Sequence, residues 1–283
     1  MEHVDELTVT NLSKTYGIRH KNKALNNVSI NVTKGECVAI VGPNGAGKTT
    51  LIKILAGIGG NFKGKVKTRS KIGYCPEVSV NIGYLDAYEN LRYYTYMSTG
   101  KKNIDEEVLM LKLPPRDQIA STFSKGMKRK LDISRALSIG ASILILDEPF
   151  DGLDPIVSFE LADLITRLKE NGKTIFFSSH DLARVEDIAD RVYFIINGKI
   201  EDEISLISKN IYVIKFKNKS QEVIGLLSEL GCKVINKFDN EISFQTNEEI
   251  ETITNHLVTS GILLTELRNE GLERRFKRLM DEY

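Results

Sequence analysis

The chain has no excess of either charge: 39 Lys and Arg stand against 38 Asp and Glu, a net charge of +1. This argues against nucleic-acid binding driven by bulk charge, leaving only local basic patches to consider. There is no apolar run near the ~18–20 residues that a membrane-spanning helix needs. The first residues, MEHVDELTVT, are acidic and polar, so no secretory signal is expected. Cysteine is scarce. Cys37, Cys75 and Cys232 are odd in number and far apart, without CxxC or Cys/His spacing. That argues against a metal site and fits free thiols in a reducing cytosol. Internal repeats and low-complexity tracts are also missing. What is present is ordinary globular composition: 283 residues, 41% hydrophobic and 27% charged, enough for one large domain or two modest ones.

Along the chain, LTVTNL (7–12) and NVSINVT (27–33) alternate apolar and polar residues, as half-buried antiparallel strands do. A polar stretch (17–24) joins them. ECVAIV (36–41) is apolar throughout, the pattern of a strand buried on both faces, and a helix carrying Leu51, Ile52, Ile54 and Leu55 follows it. Residues 86–139 read as mostly helical: DAYENLRYYTYM, DEEVLMLKL broken by Pro114-Pro115, and a helix capped by Ser124 and running to about Ile139. SILIL (142–146) and TIFFSS (174–179) read as buried strands around a helix with Asp154 as cap, Pro155 at its first position and Asn171-Gly172 at its end. Asn197-Gly198 predicts a two-residue hairpin turn. Near Ser205–Lys209 the pattern changes. The rest reads β-α-β-β-α-β, a ferredoxin-like split βαβ unit, closed by the basic helix GLERRFKRLMDEY. The expected domains are 1–205, with a helical lobe over about 76–139, and 206–283.

Gly42-Pro43-Asn44-Gly45-Ala46-Gly47-Lys48-Thr49 fits G-x-x-x-x-G-K-[ST], with a buried strand before it and a helix after it. Glycines let backbone N–H groups converge on phosphate oxygens, and the helix start adds partial positive charge. Lys48 is placed to reach the β- and γ-phosphates, and the Thr49 hydroxyl to ligate Mg²⁺. A chance glycine turn would not come with both flanks correct. The acids that end SILIL complete the pattern: Asp147 to hold Mg²⁺, mostly through water, and Glu148 to polarise the attacking water. Asn236-Lys237-Phe238-Asp239 matches the guanine-reading NKxD, but it lies beyond the domain boundary. No aspartate in the chain has glycine three residues later, so a GTPase is rejected and NKFD is read as a β-β connection.

With these residues in view, the chain resembles an ATP-binding cassette subunit of an ABC transporter through residues 7–203. Tyr16, in LSKTYG, sits where the family stacks an aromatic ring on adenine. GPNGAGKTT, running through Thr50, is the family's usual P-loop text. Ser124-Lys125-Gly126-Met127 resembles the signature LSGGQ, ILILDEP the second acidic motif, Gly152-Leu153-Asp154 the D-loop, and Ser179-His180 the switch histidine, a γ-phosphate sensor. A serine-capped helix start is an anion site. On a separate lobe it is out of reach of its own P-loop and would meet the γ-phosphate of a second copy. The resemblance implies an α/β P-loop cassette with a mixed sheet core, an antiparallel β subdomain and an α-helical lobe, carrying a small α+β domain. It also implies ATP and Mg²⁺ as cofactors and a second cassette, identical or not, as partner. A separately encoded membrane subunit would complete the transporter, with the chain cytoplasmic, on the inner face of the membrane, and no nucleic acid bound.

There are departures from the family. The glutamine expected at the start of the helical lobe is Glu77. It can still approach Mg²⁺ but adds negative charge beside the phosphates. Lys125 and Met127 stand in place of Gly and Gln. Such signatures, with Glu at that position and a C-terminal extension, recur among exporters of polyantibiotic, sodium or copper type. Tyr84, Tyr88, Tyr93, Tyr94 and Tyr96 form an aromatic cluster readable as lobe core or as a groove for a membrane partner's helix. Arg274, Arg275, Lys277 and Arg278 are readable as a solvated helix face or as a contact for anionic lipid. A soluble or regulatory ATPase is the rival class. Soluble translation cassettes usually pair two cassettes in one chain and repair cassettes carry long coiled coils; this chain has neither.

Overall fold

The computed structural model describes residues 4–17, 22–101, 113–206, 211–217, 220–269 and 271–281. The expected helix DEEVLMLKL falls almost wholly outside the described residues. So do residues 18–21 of the polar connection, most of Ser205–Lys209 and the last two residues of the chain.

The two alternating segments are parts of longer strands, β1 (Asp5–Tyr16) and β2 (Asn22–Thr33), paired antiparallel. The apolar run becomes β3 (Cys37–Val41), every residue buried, and leads through the glycine loop into α1 (Lys48–Leu55). β4 (Lys63–Thr68) then pairs with the other edge of β1, giving a three-stranded sheet in the order β2-β1-β4. β5 (Ile72–Cys75) opens the lobe, which holds α2 (Ala87–Thr99), a single 3₁₀ turn (Ala120–Thr122) and α3 (Lys125–Ser138). Asp86 caps α2 in a reciprocal box with Glu89. The chain continues through β6 (Ile143–Leu146), α4 (Pro155–Glu170), β7 (Thr174–Ser179), α5 (Leu182–Ile188), β8 (Arg191–Ile196) and β9 (Lys199–Ser205). Asn197 and Gly198 both have positive φ, at 48° and 76°, which a tight hairpin between β8 and β9 requires.

The larger sheet has the order β5-β6-β7-β3-β8-β9, parallel except for that last hairpin. One core joins both sheets: Leu7, Leu12, Val28 and Val32 from the first, Val38, Ile40, Ile145 and Phe176 from the second, with Leu51, Ile52 and Leu55 of α1. Each such side chain contributes about 1.5–3 kcal/mol on burial, so α1 is held tightly wherever the loop before it is set. The cysteines are all free and buried. Burial pushes the Cys75 thiol up to about 11, well away from reactivity.

The chain divides into two compact units, Met1–Ser205 and Leu206–Tyr283. The second contains β10 (Ile211–Phe216), α6 (Ser220–Glu229), β11 (Lys233–Phe238), β12 (Glu241–Gln245), α7 (Ile250–Thr259), β13 (Leu264–Asn269) and α8 (Leu272–Asp281). Its antiparallel sheet has the order β11-β12-β10-β13, an arrangement of the split βαβ kind. Ile214, Phe216, Ile242 and Phe244 pack against Val223, Leu227, Ile253 and Leu257 of the two helices. Lys215, Glu241, Glu266 and Arg268 join in ion pairs. Arg274 of α8 lies 4.0 Å from Glu241. NKFD runs through the end of β11, and Asp239, with φ 34°, opens the turn to β12.

Candidate active site

Four neighbouring parallel strands, β5, β6, β7 and β3, end on one side of the sheet, with β7 and β3 running two residues beyond β5 and β6. Cys75 pairs with Leu146, Leu146 with Phe177, and Val41 with Ser179. The residues following those ends are Glu77, Asp147 with Glu148, His180, and the loop 42–49. The crevice outside the carboxyl ends of such strands is where open α/β sheets bind ligands.

The loop is shaped by backbone geometry. Gly47 has φ 108°, and a Cβ there would lie 2.5 Å from the Ala24 carbonyl oxygen, so only glycine fits. Pro43 accepts from the Ala46 N–H at 3.2 Å, and Ala46 accepts from the Gly198 N–H at 2.9 Å, which ties Gly42–Gly47, including Asn44 and Gly45, to the β8–β9 hairpin. Lys48, 7% exposed, donates to the carbonyls of Gly42 at 2.7 Å and Pro43 at 3.3 Å. Its ammonium also lies 3.6 Å from Glu148 Oε1. Thr49 and Thr50 follow in the first turn of α1.

Thr49 Oγ1 donates to Asp147 Oδ1 at 3.4 Å, and Ser178 Oγ donates to the same oxygen at 2.8 Å. Asp147 is buried, and burial raises its carboxyl above the ordinary range. The Ser178 bond opposes this, while the nearby charges of Glu77 and Glu148 add to it. Glu148 has φ 43°, a left-handed backbone that costs a non-glycine residue about 1–3 kcal/mol and is kept where function needs it. Its N–H donates to Ser178 Oγ at 2.9 Å, and its Oε2 lies 2.9 Å from His180 Nδ1.

A buried carboxylate crowded by two others beside a hydroxyl fits a divalent cation. Among the described residues no group of three or more His, Cys, Asp and Glu is placed to hold a metal alone. Mg²⁺, which is bound through one or two carboxylates plus phosphates, suits that sparse donor set.

Two further residues shape the site without a sequence signal of their own. Ser178 holds both Asp147 and the Glu148 N–H. Arg129 of α3, 4% exposed, donates to Cys75 Sγ at 3.3 Å and to the carbonyls of Pro76 at 2.6 Å, Glu77 at 3.0 Å and Glu148 at 3.3 Å. Nothing in KGMKRKLD separates Arg129 from its basic neighbours. Ser178 is one of two serines that end β7, and nothing in TIFFSS separates it from Ser179.

The remaining expected residues lie apart. Ser124 caps α3 by accepting from the Met127 N–H at 3.2 Å. Lys125 pairs with Asp151 at 3.0 Å, and Gly126 is buried at the helix start. Asp154 caps α4, accepting from Ile156 and Val157 N–H groups at 3.1 Å. Among the described residues no hydrogen bond or ion pair joins Ser124–Met127 to Gly42–Thr50. Tyr16 is 44% exposed, with the Lys14 ammonium 4.9 Å from its ring centre. The tyrosine cluster is split: Tyr84, Tyr93 and Tyr96 are exposed, so they are not lobe core. Tyr88 lies under Arg116, and Tyr94 under Arg135 with its hydroxyl donating to Val80.

The profile of the family described as "ABC transporter" matches residues 25–151. The lantibiotic transport ATP-binding protein SrtF of Streptococcus pyogenes is 38% identical, covering 69% of this chain and 88% of that protein. The bacitracin transport ATP-binding protein BcrA of Bacillus licheniformis is 37% identical over 79% of this chain and 78% of its own length. BcrA of Enterococcus faecalis is 29% identical over 99% and 97%. Among solved structures, the dimeric post-hydrolysis state of the ATP-binding cassette MJ0796 bound to ADP and Pi matches with a TM-score of 0.64 and 25% identity. The match covers 71% of this chain and 98% of that one. An ATP-binding subunit of an ABC transporter matches with a TM-score of 0.60 and 26% identity, over 89% and 99%. The mixed sheet, the antiparallel subdomain and the helices are those of a P-loop cassette, and the chain belongs to the ABC transporter family, as one of its ATP-binding, ATPase subunits.

Proposed function

We propose that the chain is the motor subunit of an exporter, closing on ATP with a second cassette, identical or different, and driving a separately encoded membrane subunit. The observation that carries this is the convergence of Glu77, Asp147, Glu148, His180 and the glycine loop at the carboxyl ends of four neighbouring parallel strands. In this reading Lys48 turns its ammonium from the loop carbonyls to the β- and γ-phosphates, since a charge-assisted bond to phosphate is the stronger one. Thr49 and Asp147 would hold Mg²⁺, with Glu77 beside them, and the bound ion would supply positive charge beside the phosphates. Glu148 orients and polarises the attacking water, and His180, held by Glu148, meets the γ-phosphate. Tyr16 stacks on the adenine. The capped start of α3 at Ser124, with Lys125, Gly126 and Met127, faces the nucleotide of the second copy, and Asp154 fixes the D-loop by capping α4.

No described helix is long and apolar enough to cross a membrane, so in this account the chain works as a peripheral subunit on the cytoplasmic face. The names of the lantibiotic and bacitracin transport relatives support a peptide-antibiotic class of cargo. The unit Leu206–Tyr283 is proposed as an accessory domain. The test is recovery of the tagged chain from detergent-solubilised membranes of its own source. Co-purification of a multi-spanning subunit is expected. Recovery with ribosomes or DNA instead would favour the non-transport class.

A further inference from the structure

The start of α3 and the start of α4 lie along one seam. A Cβ on Gly126 would lie 2.3 Å from Val157 Cγ1, and Lys130 pairs with Glu160 at 2.6 Å. The close approach at Gly126 is what packs the helices together, with the exposed ion pair beside it. At the head of the seam Lys125 Nζ lies 3.0 Å from Asp151 Oδ2, with the two side chains 50% and 42% exposed. The ammonium fills the space where Gly152, with φ 61°, would otherwise carry a Cβ: that atom would lie 2.2 Å from Lys125 Nζ. Asp151 is held below the ordinary carboxylate range, chiefly by this hydrogen bond, with the charges of Lys125, His180 and Arg129 adding.

We propose that Lys125 is an exchangeable cation, paired with Asp151 inside one cassette and transferred to the γ-phosphate of the nucleotide held by a second copy. The inference rests on the two-cassette reading above. The exchange runs in one direction by charge. An exposed ion pair contributes little, and one carboxylate competes poorly with a phosphate bearing about two negative charges and several acceptor oxygens. It is local by geometry, because the close packing of Gly126 on Val157 keeps the seam closed when the pair opens. Asp151 thus acts as a brake on closure and Lys125 as a contact made only in the closed state.

The test uses the Glu148→Gln full-length chain with Mg²⁺ and reads, by size exclusion, the ATP concentration giving half dimer. Asp151→Asn releases Lys125 and lowers that concentration by up to about fivefold, the range of an exposed pair. Lys125→Gln raises it by about tenfold, the scale of a lost charge-assisted bond. The double variant behaves as Lys125→Gln alone, and Lys125→Arg, which keeps the charge, stays close to the parent. If Asp151→Asn and Lys125→Gln both raise the concentration alike, the pair is a static brace and the exchange is wrong. If Lys125→Gln unfolds, the lowered concentration expected for Asp151→Asn against the raised one expected for Asp151→Ala/Lys125→Ala still decides. A Glu148→Gln parent that stays monomeric at saturating ATP overturns the two-cassette reading, and the exchange falls with it.

Discussion

Glu148 Oε2 lies 2.9 Å from Nδ1 of His180, while the other carboxylate oxygen is 3.6 Å from the Lys48 ammonium. The acid is thereby held between the lysine that opens α1 and the histidine that follows β7, with its backbone in a left-handed turn. His180→Ala removes one of the two anchors and leaves Glu148 in place but free to turn. ATP binding should persist, and hydrolysis should fall about tenfold or more, because water activation depends on placement of the base. Fluorescent-nucleotide titration beside a phosphate-release assay separates the two effects. Loss of binding with an unchanged rate per bound ATP would contradict it.

Asp147 gives a prediction about pH. Its folded-state value lies above the ordinary one, so the folded protein holds that proton more tightly than the unfolded chain. The stability this group contributes is fully present below the unfolded value and is lost as pH rises through the folded value. At neutral pH the charged side chain therefore weakens the metal-free protein. Asp147→Asn should raise the unfolding temperature in chelator at pH 7.5, and the gain should shrink as pH is lowered through the acid range. Melting curves of both proteins across that range check it. Added Mg²⁺ with ATP should stabilise the parent and not the variant.

Glu77→Gln removes one of the charges that raise Asp147. Hydrolysis should stay within about tenfold, a change of ~1.4 kcal/mol in the barrier, while the Mg²⁺ requirement shifts to higher concentration. An unchanged Mg²⁺ titration would assign the carboxylate no part in the metal site.

Arg129→Leu leaves the carbonyls of Pro76, Glu77 and Glu148 without their buried donor. Each such loss costs about 1–3 kcal/mol. The denaturation midpoint should drop accordingly, and the surviving protein should show weaker Mg²⁺–ATP binding because the turns carrying Glu77 and Glu148 loosen. Arg129→Lys, which cannot fork to several acceptors, should recover only part of either.

The glycine loop was legible because its chemistry needs residues at fixed spacing, and the flanking ECVAIV and Leu51-Ile52 carry the strand and helix that aim it. Asp147 and Glu148 were legible for the same reason, as acids ending an apolar run. β4 was not foreseen. KGKVKT is lysine-rich and mostly exposed, the composition of an edge strand that avoids further pairing, so periodicity could not mark it. Ser178 and Arg129 escaped because their roles exist only after β6, β7 and α3 are brought together. The tyrosines stayed ambiguous for the opposite reason: aromatic residues suit a core and a docking groove alike, and only the fold shows Tyr84, Tyr93 and Tyr96 facing outward.

The unit Leu206–Tyr283 has its own sheet and its own apolar cluster. A chain ending at Lys209 should fold and bind ATP, as read by circular dichroism and nucleotide titration. An insoluble product that no longer binds nucleotide would mean that the two units fold only together.

The central claim is that Glu148 drives ATP hydrolysis at a site built by Lys48, Thr49 and Asp147. Single-turnover hydrolysis by Glu148→Gln, with ATP affinity measured on the same sample, tests it most directly. The account predicts near-parental affinity with the chemical step slowed by about 10²–10⁴-fold. Hydrolysis at the parental rate would contradict it.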